Sequence, residues 1–525
     1  MLIVRNIKMP LDTDFNNLKS EVIKALKVDG IKSVELYKKA IDARKKDNIT
    51  FNCAFLLETE NDQKVLRKLK LKDAEIFSKH PYQFKTVSGQ HKRPVVVGFG
   101  PCGMFASLCL AKAGLCPIVL ERGRDVDSRV ADVNRFFETN DLDENSNIQF
   151  GEGGAGTFSD GKLNTGIKDK RIRAVLEIFS SHGAGENILY DAKPHIGTDV
   201  LVRVVKSIRE EIIRLGGEVL FCHKLTKINT DGARVKSVTA ETPNGVKEFD
   251  CDRVILSIGH SARDTFLMLQ KMGIIMQPKP FAVGARIEHR QEIINSAQYG
   301  QFAGHSNLGS ADYKLAERVS NGRGVFTFCM CPGGEVVNAS SEKGRVAVNG
   351  MSNNARDGRN ANSAVLCDVH IEDYFKGDAL DGMYFQQKIE QKAFEVGKGL
   401  PVSQSLCDFL GTDKADGSVV PTAKSGVTFG EIGEVLPKFA TESLREGIVL
   451  FDRKIKGFAS PNAILTAPET RSSSPIRIIR NENGQASIMG LYPSGEGAGY
   501  AGGITSAAVD GLKTAEIIIN EINQV

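Results

Sequence analysis

The feature that most constrains this chain is a glycine-rich turn flanked by two short apolar segments at residues 94–123. Val95 to Val97 form an unbroken apolar run, which is typical of a parallel strand buried on both faces. The run leads into Gly98-Phe99-Gly100-Pro101-Cys102-Gly103, then a helical segment to Ala113 and a second apolar segment at Pro117 to Leu120. This order of strand, glycine turn, helix and strand predicts a Rossmann-type α/β fold with a ligand at the helix N-terminus.

Each glycine of this turn has an expected role. Gly98 permits the tight turn, Gly100 lets a pyrophosphate approach the backbone, and Gly103 lets the helix lie against the strand. Glu121 follows the second strand, 18 residues after Gly103. A carboxylate there accepts hydrogen bonds from an adenosine ribose and repels a 2′-phosphate, so the turn favours FAD or NAD over NADP. Cys102 is expected to fill the joint between helix and strand rather than to act as a redox thiol.

Two later segments repeat the pattern of a strand that ends in glycines. The predicted strand Val254 to Ile258 is followed by Gly259-His260-Ser261-Ala262-Arg263-Asp264, and the predicted strand Ser487 to Leu491 leads through residues 492–503 into a helix rich in small residues. With the first turn, these segments resemble the three flavin-binding segments of the glutathione reductase structural superfamily. The resemblance implies bound FAD, with Glu496 at the ribityl chain and the helix after Gly503 pointing its N-terminus at flavin O2. A positive helix end there stabilises the anionic reduced flavin.

A fourth glycine cluster lies at Asn147 to Thr165. It resembles the loop that wraps the pyrophosphate and flavin edge in fumarate-reductase-like flavoproteins, and Gly153, Gly154 and Gly156 are expected to supply close backbone N–H groups. Lys162 is the only cation in the run 149–165, and we expect it either to reach toward flavin N5 or to be an exposed loop lysine. The residues predicted to bind the cofactor are Gly98, Gly100, Pro101, Cys102, Gly103, Glu121, Arg122, Gly153, Gly154, Gly156, Gly259, His260, Gly495, Glu496, Gly502, Gly503 and Ile504.

The chain shows no second dinucleotide motif, because Gly183-Ala184-Gly185 follows a helical pattern at 172–179 rather than a strand. Two-dinucleotide disulfide reductases are therefore disfavoured, and the cysteine pair that they carry near the glycine loop is absent. What remains is the branch of monooxygenases, amine oxidases and geranylgeranyl reductases. The overall pattern resembles the bacterial family of uncharacterised FAD-dependent, or NAD/FAD-utilising, dehydrogenases, on the segments VVVGFGPCGMFA, FGEGGAGTFSDGKL, GHSARD, FCMCPGG, ETRSSSPIRI and YPSGEGAGYAGGI.

At 525 residues the chain is longer than a single compact core usually allows, so we expect several domains. A βαββαβ order predicts a ferredoxin-like domain at 1–90, with its elements at Leu2 to Ile7, Phe15 to Leu26, Ser33 to Ala43, Ile49 to Leu57, Asp62 to Leu71 and Tyr82 to Phe84. The FAD-binding domain is expected at 91–280 and 456–525. The intervening 281–455 is predicted to be an inserted β-rich α+β cap domain, with strands at Phe281 to Ile287, Val325 to Cys329 and Arg345 to Val348 and helices at Tyr384 to Val396 and Thr441 to Phe451.

Three further side chains are candidates for the chemistry, each with a plainer alternative. Arg471, in the run PETRSSSPIR, is predicted to clamp a carboxylate or the pyrimidine edge through its planar fork, or else to lie at the surface. Cys331 precedes a Pro-Gly-Gly turn and is the best thiol candidate, with buried packing as the alternative. His260 is expected either to donate a proton near neutral pH or to be hydrogen-bonded at a strand end. The sequence carries no metal-binding motif, so no metal is expected.

Charge and cysteine usage indicate the setting of the protein. Residues 1–92 hold 19 Lys or Arg against 12 Asp or Glu, a formal +7, so the rest of a chain with a net charge of +4 carries −3. A basic module can bind an anionic partner, but a solvated basic face is the more common role. Ten cysteines without a CxxC pair, no signal-peptide pattern and no apolar run of membrane-helix length predict a cytoplasmic protein.

These observations predict an FAD-dependent oxidoreductase, a dehydrogenase or reductase that transfers hydride to or from flavin N5. Its partner is expected to be a small-molecule substrate, with NAD(P)H as a candidate transient electron donor and no membrane partner. One alternative is a non-enzymatic flavin-binding redox sensor or scaffold. The other is an RNA-associated flavoprotein that uses the basic N-terminal domain, although nucleic acid is the less favoured partner.

Overall fold

The computed structural model describes residues 1–69, 71–412 and 415–524. Residue 70 of the predicted helix Asp62 to Leu71, residues 413 and 414 of the predicted cap domain, and residue 525 of the predicted 456–525 segment lie outside the described residues. Parallel and antiparallel sheets are both present, so the fold is of the mixed α/β class.

The N-terminal part of the chain follows the order strand, helix, two strands, helix and strand. Its elements are β1 Leu2–Pro10, α1 Leu18–Leu26, β2 Ile31–Asp42, β3 Thr50–Thr59, α2 Asp62–Leu69 and β4 Ala74–Ile76. The strands pair antiparallel in the order β2-β3-β1-β4. The strand predicted at Tyr82 to Phe84 is wrong: the last strand is the three-residue β4, and the Tyr82 hydroxyl instead donates to Glu516 near the far end of the sequence. So short a strand is set by pairing with β1 and carries almost no periodic signal of its own.

The next part of the chain holds the predicted glycine turn between its first strand and first helix. Its elements are β5 Val95–Val97, α3 Pro101–Lys112, β6 Ile118–Leu120, α4 Val126–Thr139, α5 Arg171–Phe179, α6 Thr198–Arg214, β7 Glu218–Leu220, β8 Lys224–Asp231, β9 Arg234–Thr242, β10 Gly245–Asp250, β11 Val254–Leu256, α7 Arg263–Lys271 and β12 Met276–Pro278. Strands β8, β9 and β10 form a separate antiparallel meander.

The remaining elements begin with a long strand that crosses the middle of a second sheet. They are β13 Phe281–Arg290, α8 Gln291–Tyr299, β14 Ala316–Arg318, β15 Gly324–Cys331, β16 Glu335–Asn338, β17 Val348–Met351, β18 Asn360–Val369, α9 Asp381–Gly397, β19 Val402–Ser405, α10 Leu406–Leu410, β20 Thr428–Phe429, α11 Ile432–Val435, α12 Lys438–Asp452, β21 Ile464–Glu469, β22 Ile476–Ile478, β23 Leu491–Pro493 and α13 Ile504–Asn523.

Two predicted strands in this part are displaced. The strand predicted at Arg345 to Val348 begins only at Val348, because β17 pairs with β16 from that residue onward. The strand predicted at Ser487 to Leu491 lies instead at Leu491–Pro493, where it pairs in parallel with β11. In both cases the neighbouring strand, rather than the local sequence, sets the boundary.

A parallel sheet in the order β23-β11-β5-β6-β7 positions the functional segments. Its three neighbouring strands β5, β11 and β23 lead directly into the three glycine-containing segments. Because the strands are parallel, their carboxyl ends share one edge of the sheet, and ligands of such sheets bind at that edge.

The second sheet lies beside this edge and has the order β14-β15-β18-β13-β21-β19-β20. Its central pair, β13 and β18, stays in register over ten residues from Phe281↔Val369 to Arg290↔Asn360. The predicted helices at 384–396 and 441–451 lie within α9 and α12.

Two large apolar cores hold these layers together. One core is continuous between the N-terminal sheet and the second sheet and includes Val4, Phe55, Val283 and Phe458. The other surrounds α3 and α13, which pack so closely that a Cβ atom on Gly511 would lie 2.1 Å from the carbonyl oxygen of Cys102. Among the described residues, none of the helices combines the length and apolarity needed to span a bilayer.

Candidate functional site

A cavity of about 610 Å³ opens at the carboxyl edge of the parallel sheet. Its wall includes the ends of all three glycine-containing segments on one side and the second sheet on the other. The predicted site residues that line it are Gly98, Gly100, Pro101, Cys102, Glu121, Arg122, Gly154, Gly156, Lys162, Gly259, His260, Arg471, Glu496, Gly502, Gly503 and Ile504. Four predicted site residues do not line it: Gly103, Gly153, Gly495 and Cys331.

Two glycines of the first turn, Gly98 and Gly103, permit close packing, and Gly98 and Gly100 line the cavity. A Cβ atom on Gly98, whose φ is +92°, would lie 2.4 Å from the carbonyl oxygen of Ser257 on the neighbouring segment. A Cβ atom on Gly103 would lie 1.9 Å from the carbonyl oxygen of Gly98, so α3 can approach β5 only without a side chain there. At Gly100 the nearest atom to such a Cβ is the Cα of Gly154, at 3.7 Å, which leaves its backbone open toward the cavity.

Gly153 and Gly495 lie behind the cavity wall, so their prediction as ligand contacts is corrected to a packing role. A Cβ atom on Gly153 would lie 2.0 Å from Oγ1 of Thr157, and one on Gly495 would lie 2.8 Å from the Cβ of Cys102. Cys102 itself is buried, with its Sγ 3.2 Å from Oγ of Ser494, and burial raises the pKa of its thiol. A protonated thiol in this position packs the joint and is a poor nucleophile.

Glu121 and Arg122 form one end of the cavity. The buried Glu121 carboxylate accepts hydrogen bonds from the backbone nitrogens of Phe99 at 2.8 Å and Gly151 at 3.0 Å, which fixes it at the edge of the turn. The Arg122 guanidinium lies over the Phe150 ring at 4.2 Å, and its Nε is buried without a hydrogen-bond partner among the described residues. Buried donors of this kind usually have a partner, so an acceptor is missing at this end.

The N-terminus of α13 faces another part of the cavity. Gly502 and Gly503 line the cavity, and a Cβ atom on either would have no neighbour within 4 Å. The first turn of a long helix presents unpaired N–H groups and a partial positive charge, which favour an anion. Glu496 lines the same region, where burial raises the pKa of its carboxyl group to about 7.

Lys162 lies where the glycine loop meets the second sheet. Its Nζ contacts the carbonyl oxygen of Met330 and lies 4.0 Å from the Asp160 carboxylate, and its side chain is a quarter exposed. Lys162 therefore lines the cavity and is only partly exposed, and its reach toward flavin N5 stays a prediction.

His260 lines the cavity, but its expected role as a proton donor near neutral pH is wrong. Burial, together with the cations Arg471 and Arg263, lowers the pKa of His260 to about 3. The ring is therefore neutral at physiological pH, and its Nδ1 lies 3.1 Å from the Ser261 hydroxyl. The position of His260 therefore matches the other expectation, a histidine that is hydrogen-bonded at the end of a strand.

Arg471 also lines the cavity, but its guanidinium is already occupied by protein groups. It binds Glu390 through Nε at 2.9 Å and Nη2 at 2.8 Å, and its Nη1 contacts the hydroxyls of Ser261 and Ser341. Its side chain is 5% exposed, so the surface alternative is wrong as well. Because its guanidinium is already bonded to Glu390 and to Ser261, Arg471 holds the segment that contains His260 in place. It is not free to bind a ligand carboxylate.

Cys331 is buried behind the wall, and the thiol that faces the cavity is Cys329. The two cysteines lie at a register shift between β15 and β18, where Phe328 pairs with Ala364 and Cys331 with Asn362. That extra residue is a β-bulge, which redirects side chains relative to a regular strand. Of the two cysteines, the one that the sequence favoured, Cys331, has the buried packing position that was its alternative.

Glu469 is a second cavity residue that sequence reasoning missed. Its carboxylate accepts a hydrogen bond from Nη1 of Arg286 at 3.0 Å, and burial raises its pKa to about 7. Glu469 lies two residues before Arg471 in the run PETRSSSPIR. Its place in that run was the only feature of the sequence that could have indicated it. Among the described residues there is no cluster of three or more His, Cys, Asp or Glu side chains suited to a metal ion.

The cavity fits a flavin dinucleotide on several counts. Its volume falls within the range of about 300–1,000 Å³ for small-molecule and cofactor sites. Gly100 and Gly502 leave backbone exposed where a phosphate or an anionic ring edge would approach, and the Arg122 Nε lacks an acceptor. The second sheet would then cover the reactive face of the ring.

The fold is of the mixed α/β class, with a cavity between the carboxyl edge of a parallel sheet and a second sheet. Residues 280–472 match the sequence model described as "FAD-dependent protein, C-terminal domain-like", and residues 1–58 match a domain of unknown function. The chain is 46% identical over 534 aligned positions, covering 99% of each chain, to a protein of Clostridium beijerinckii described as uncharacterized. The chain therefore belongs to the family of this clostridial protein.

Two solved structures are more distantly similar. A geranylgeranyl bacteriochlorophyll reductase-like protein from Thermoplasma acidophilum is 11% identical, with 84% of this chain and 79% of that chain covered and a TM-score of 0.37. A flavoprotein/dehydrogenase from Cytophaga hutchinsonii is 12% identical, with 82% and 79% covered and a TM-score of 0.33. The substrate of this chain does not follow from either likeness.

Proposed function

We propose that this protein is an FAD-dependent oxidoreductase that exchanges a hydride with a small-molecule substrate. The observation that carries the proposal is that three segments, after β5, β11 and β23, meet at one cavity and leave open glycine backbone there. FAD, once bound, supplies the two-electron chemistry at its N5 atom. The protein contributes binding, orientation and electrostatic tuning.

The chain's own groups divide between the two ends of the cavity. Gly100 and Gly154 offer backbone to the pyrophosphate. The Glu121 carboxylate lies where it would accept hydrogen bonds from the hydroxyl groups of the adenosine ribose. The N-terminus of α13 stabilises negative charge on the reduced ring. In this division, the predicted segments 91–280 and 456–525 bind the nucleotide, except that β21 at Ile464–Glu469 belongs to the second sheet. Residues 281–455 and β21 supply the wall over the ring, and 1–90 supports that wall through the shared apolar core.

The substrate side of the cavity lies against the second sheet. Phe328 and Cys329 from β15, Glu469 from β21 and Lys162 from the glycine loop line this side. An acid with a pKa near 7 and a lysine are suited to move or hold a proton while hydride is exchanged. We therefore assign a dehydrogenase or reductase activity to this face, with NAD(P)H as a transient donor rather than a resident second nucleotide.

Two glycine variants test whether the cavity binds FAD. Gly100→Ala adds a methyl group that meets no atom closer than 3.7 Å, so the protein folds normally, but the methyl group projects toward the pyrophosphate position. Gly433→Ala is the matched control, because its nearest atom is also at 3.7 Å but lies away from the cavity. We expect Gly100→Ala to weaken FAD binding at least tenfold in a fluorescence titration, with unchanged thermal unfolding without ligand.

A second experiment tests turnover. The FAD-loaded protein is mixed without oxygen with NADH, NADPH and a panel of alcohols, amines and hydroxy acids, and the flavin absorbance is followed. Bleaching by any donor supports the enzyme. A protein that binds FAD but is bleached by no donor supports the sensor or scaffold alternative. A protein that stays colourless after incubation with FAD contradicts the proposal as a whole.

A further inference from the structure

The segment Phe328-Cys329-Met330-Cys331 brings two thiols together at the wall of the cavity. Cys329 has a φ of +43°, in the left-handed region, and sits in the bulge between β15 and β18. Non-glycine residues in this region are uncommon, and they cluster at functional sites. Cys329 is half-buried and lines the cavity, whereas Cys331 is buried directly behind it.

Hydrogen bonds hold the two cysteines in this arrangement. The Cys331 thiol donates a hydrogen bond to the carbonyl oxygen of Cys329 at 3.2 Å, two residues earlier in the chain. Nη2 of Arg286 donates to the same Cys329 carbonyl at 2.7 Å and lies 3.6 Å from the Cys331 sulfur. Arg286 is itself buried and forms an ion pair with Glu469. Its fixed position holds the backbone of the two cysteines in place.

The surroundings of the two thiols are unequal. The hydrogen bond from Cys331 lowers the pKa of Cys329 to about 6 against the opposing effect of burial, with further help from Lys162 and Arg286. The same interaction and burial raise the pKa of Cys331 well above its ordinary value. Elsewhere in the chain burial raises the pKa of a thiol, to about 12 at Cys251 for example. The other charged groups that act on Cys329 are the carboxyls of Asp160, Glu469 and Glu496.

We propose that Cys329 and Cys331 are a redox-active dithiol that exchanges two electrons with the FAD held in this cavity. The proposal rests on the proposed function, because it takes FAD as the partner of the pair. A cavity-lining thiolate with a protonated second thiol next to it is the arrangement that thiol–disulfide chemistry requires.

The exchange balances without another reactant. The Cys329 thiolate and the Cys331 thiol form an S–S bond, and the Cys331 S–H bond breaks. The two electrons and that single proton pass to oxidised FAD, which becomes its reduced anion. The reverse step uses the same atoms and restores the thiolate and the thiol.

The first experiment measures the reactivity of each cysteine in the full chain without FAD. Iodoacetamide labelling is followed by peptide mass spectrometry between pH 5 and 9 for the wild type, Cys331→Ala and Cys331→Ser. The control residue is Cys116, which is also half-buried and left-handed, with φ of +46°. We expect Cys329 to be labelled about tenfold faster than Cys116 at pH 7, with a midpoint near pH 6 that rises in Cys331→Ala and is retained in Cys331→Ser.

The second experiment detects the disulfide. The full chain, with and without FAD, is treated with one equivalent of diamide under argon, and the peptide that contains both cysteines is weighed. We expect it to lose two hydrogens in the wild type and in Cys116→Ser but not in Cys329→Ser or Cys331→Ser. When both thiols are reduced and the bound FAD is oxidised, a long-wavelength thiolate-to-flavin absorbance band should be present at pH 8, lost at pH 5 and absent in Cys329→Ser.

The outcomes separate this inference from the proposed function. If the protein binds FAD and is bleached by a donor, but the Cys329–Cys331 peptide never loses two hydrogens, the dithiol inference is wrong and the oxidoreductase stands. If the disulfide forms readily but FAD does not bind, the thiol pair does not serve a flavin, and both proposals are wrong. Labelling of Cys329 no faster than that of Cys116 also overturns the inference.

Discussion

Arg471 binds Glu390 through two parallel hydrogen bonds, from Nε at 2.9 Å and from Nη2 at 2.8 Å, and Glu390 is wholly excluded from solvent. A second arginine, Arg263, binds the opposite side of the same carboxylate. The two arginines come from the segments after β21 and β11, and Glu390 comes from α9. One buried carboxylate therefore joins the second sheet to the edge of the nucleotide site.

Loss of this pair is expected to destabilise the protein strongly. In Arg471→Met the buried Glu390 carboxylate keeps only one of its two arginine partners. Breaking a buried ion pair of this kind lowers the free energy of unfolding by about 3–5 kcal/mol. The measurement is denaturant unfolding of the protein without FAD. Lys206→Met is the control, because it removes an exposed partner of Asp127 and should cost less than about 1 kcal/mol. Equal losses in the two variants would contradict the prediction.

The stability of the protein is expected to carry a pH dependence from Glu496. Burial raises the pKa of this carboxyl group from 4.5 to about 7, so between those pH values the folded state holds a proton that the unfolded state has released. The free energy of unfolding therefore falls as pH rises through this window, and the loss is complete above about pH 7. Glu496→Gln removes this contribution, so its stability relative to the wild type should rise from pH 4.5 to 7.

Asp42→Asn supplies the control for that titration. Its hydrogen bond with Arg44 lowers the pKa of Asp42 to about 2, so its stabilising contribution is lost only as pH falls below about 4. The stability difference between Asp42→Asn and the wild type should thus be flat from pH 4.5 to 7. A flat difference for Glu496→Gln as well would show that this carboxyl titrates normally.

The first glycine turn is expected to tolerate no side chain at Gly98. Gly98→Ala combines left-handed backbone strain with a contact of 2.4 Å to the Ser257 carbonyl oxygen, and that contact forces β5 and β11 apart at the cavity edge. Gly273→Ala has similar strain, with φ of +73°, but open space around it. We expect Gly273→Ala to cost about 1–2 kcal/mol and to bind FAD normally. Gly98→Ala should cost more and bind FAD at least tenfold more weakly in an equilibrium titration.

Removal of residues 1–90 is expected to damage the fold rather than to test a separate module. The N-terminal sheet shares an apolar core with the second sheet, and Asn307 donates to the Leu11 carbonyl at 2.8 Å. We expect the truncated protein to be largely insoluble on expression. An RNA-binding role is better tested by Lys45→Glu with Lys46→Glu, because both residues are exposed and should change stability by less than about 0.5 kcal/mol. Unchanged gel retardation of RNA by this variant would argue against such a role.

The sequence was sufficient to locate the first glycine turn because its glycines keep a fixed spacing between a strand and a helix. Gly103 avoids a contact with the nearby Gly98, and that requirement is local, whereas the contact of Gly98 with Ser257 is not visible in the sequence. The resemblance to known flavin-binding segments pointed to Glu496 and to the N-terminus of α13, and both line the cavity.

The chemistry of the wall could not be predicted in the same way. Cys329, rather than Cys331, faces the cavity only because β15 contains a bulge, and a bulge is set by pairing with β18. Arg471 is occupied because Glu390, 81 residues earlier, lies within reach. The pKa of His260 is lowered by burial and, in addition, by Arg263 of its own segment and by Arg471 from the segment after β21. Each of these facts depends on a residue that is distant in the sequence.

The distance between β5 and α13 along the chain has a consequence for assembly in the cell. The site needs both Val97 and Ile504, which are separated by 407 residues (504 − 97). At roughly 5–20 residues per second, a ribosome takes about 20–80 s to travel from one to the other. For that interval the nascent protein exposes an unfinished apolar sheet edge, so cofactor capture is a late event and chaperones have time to act before it.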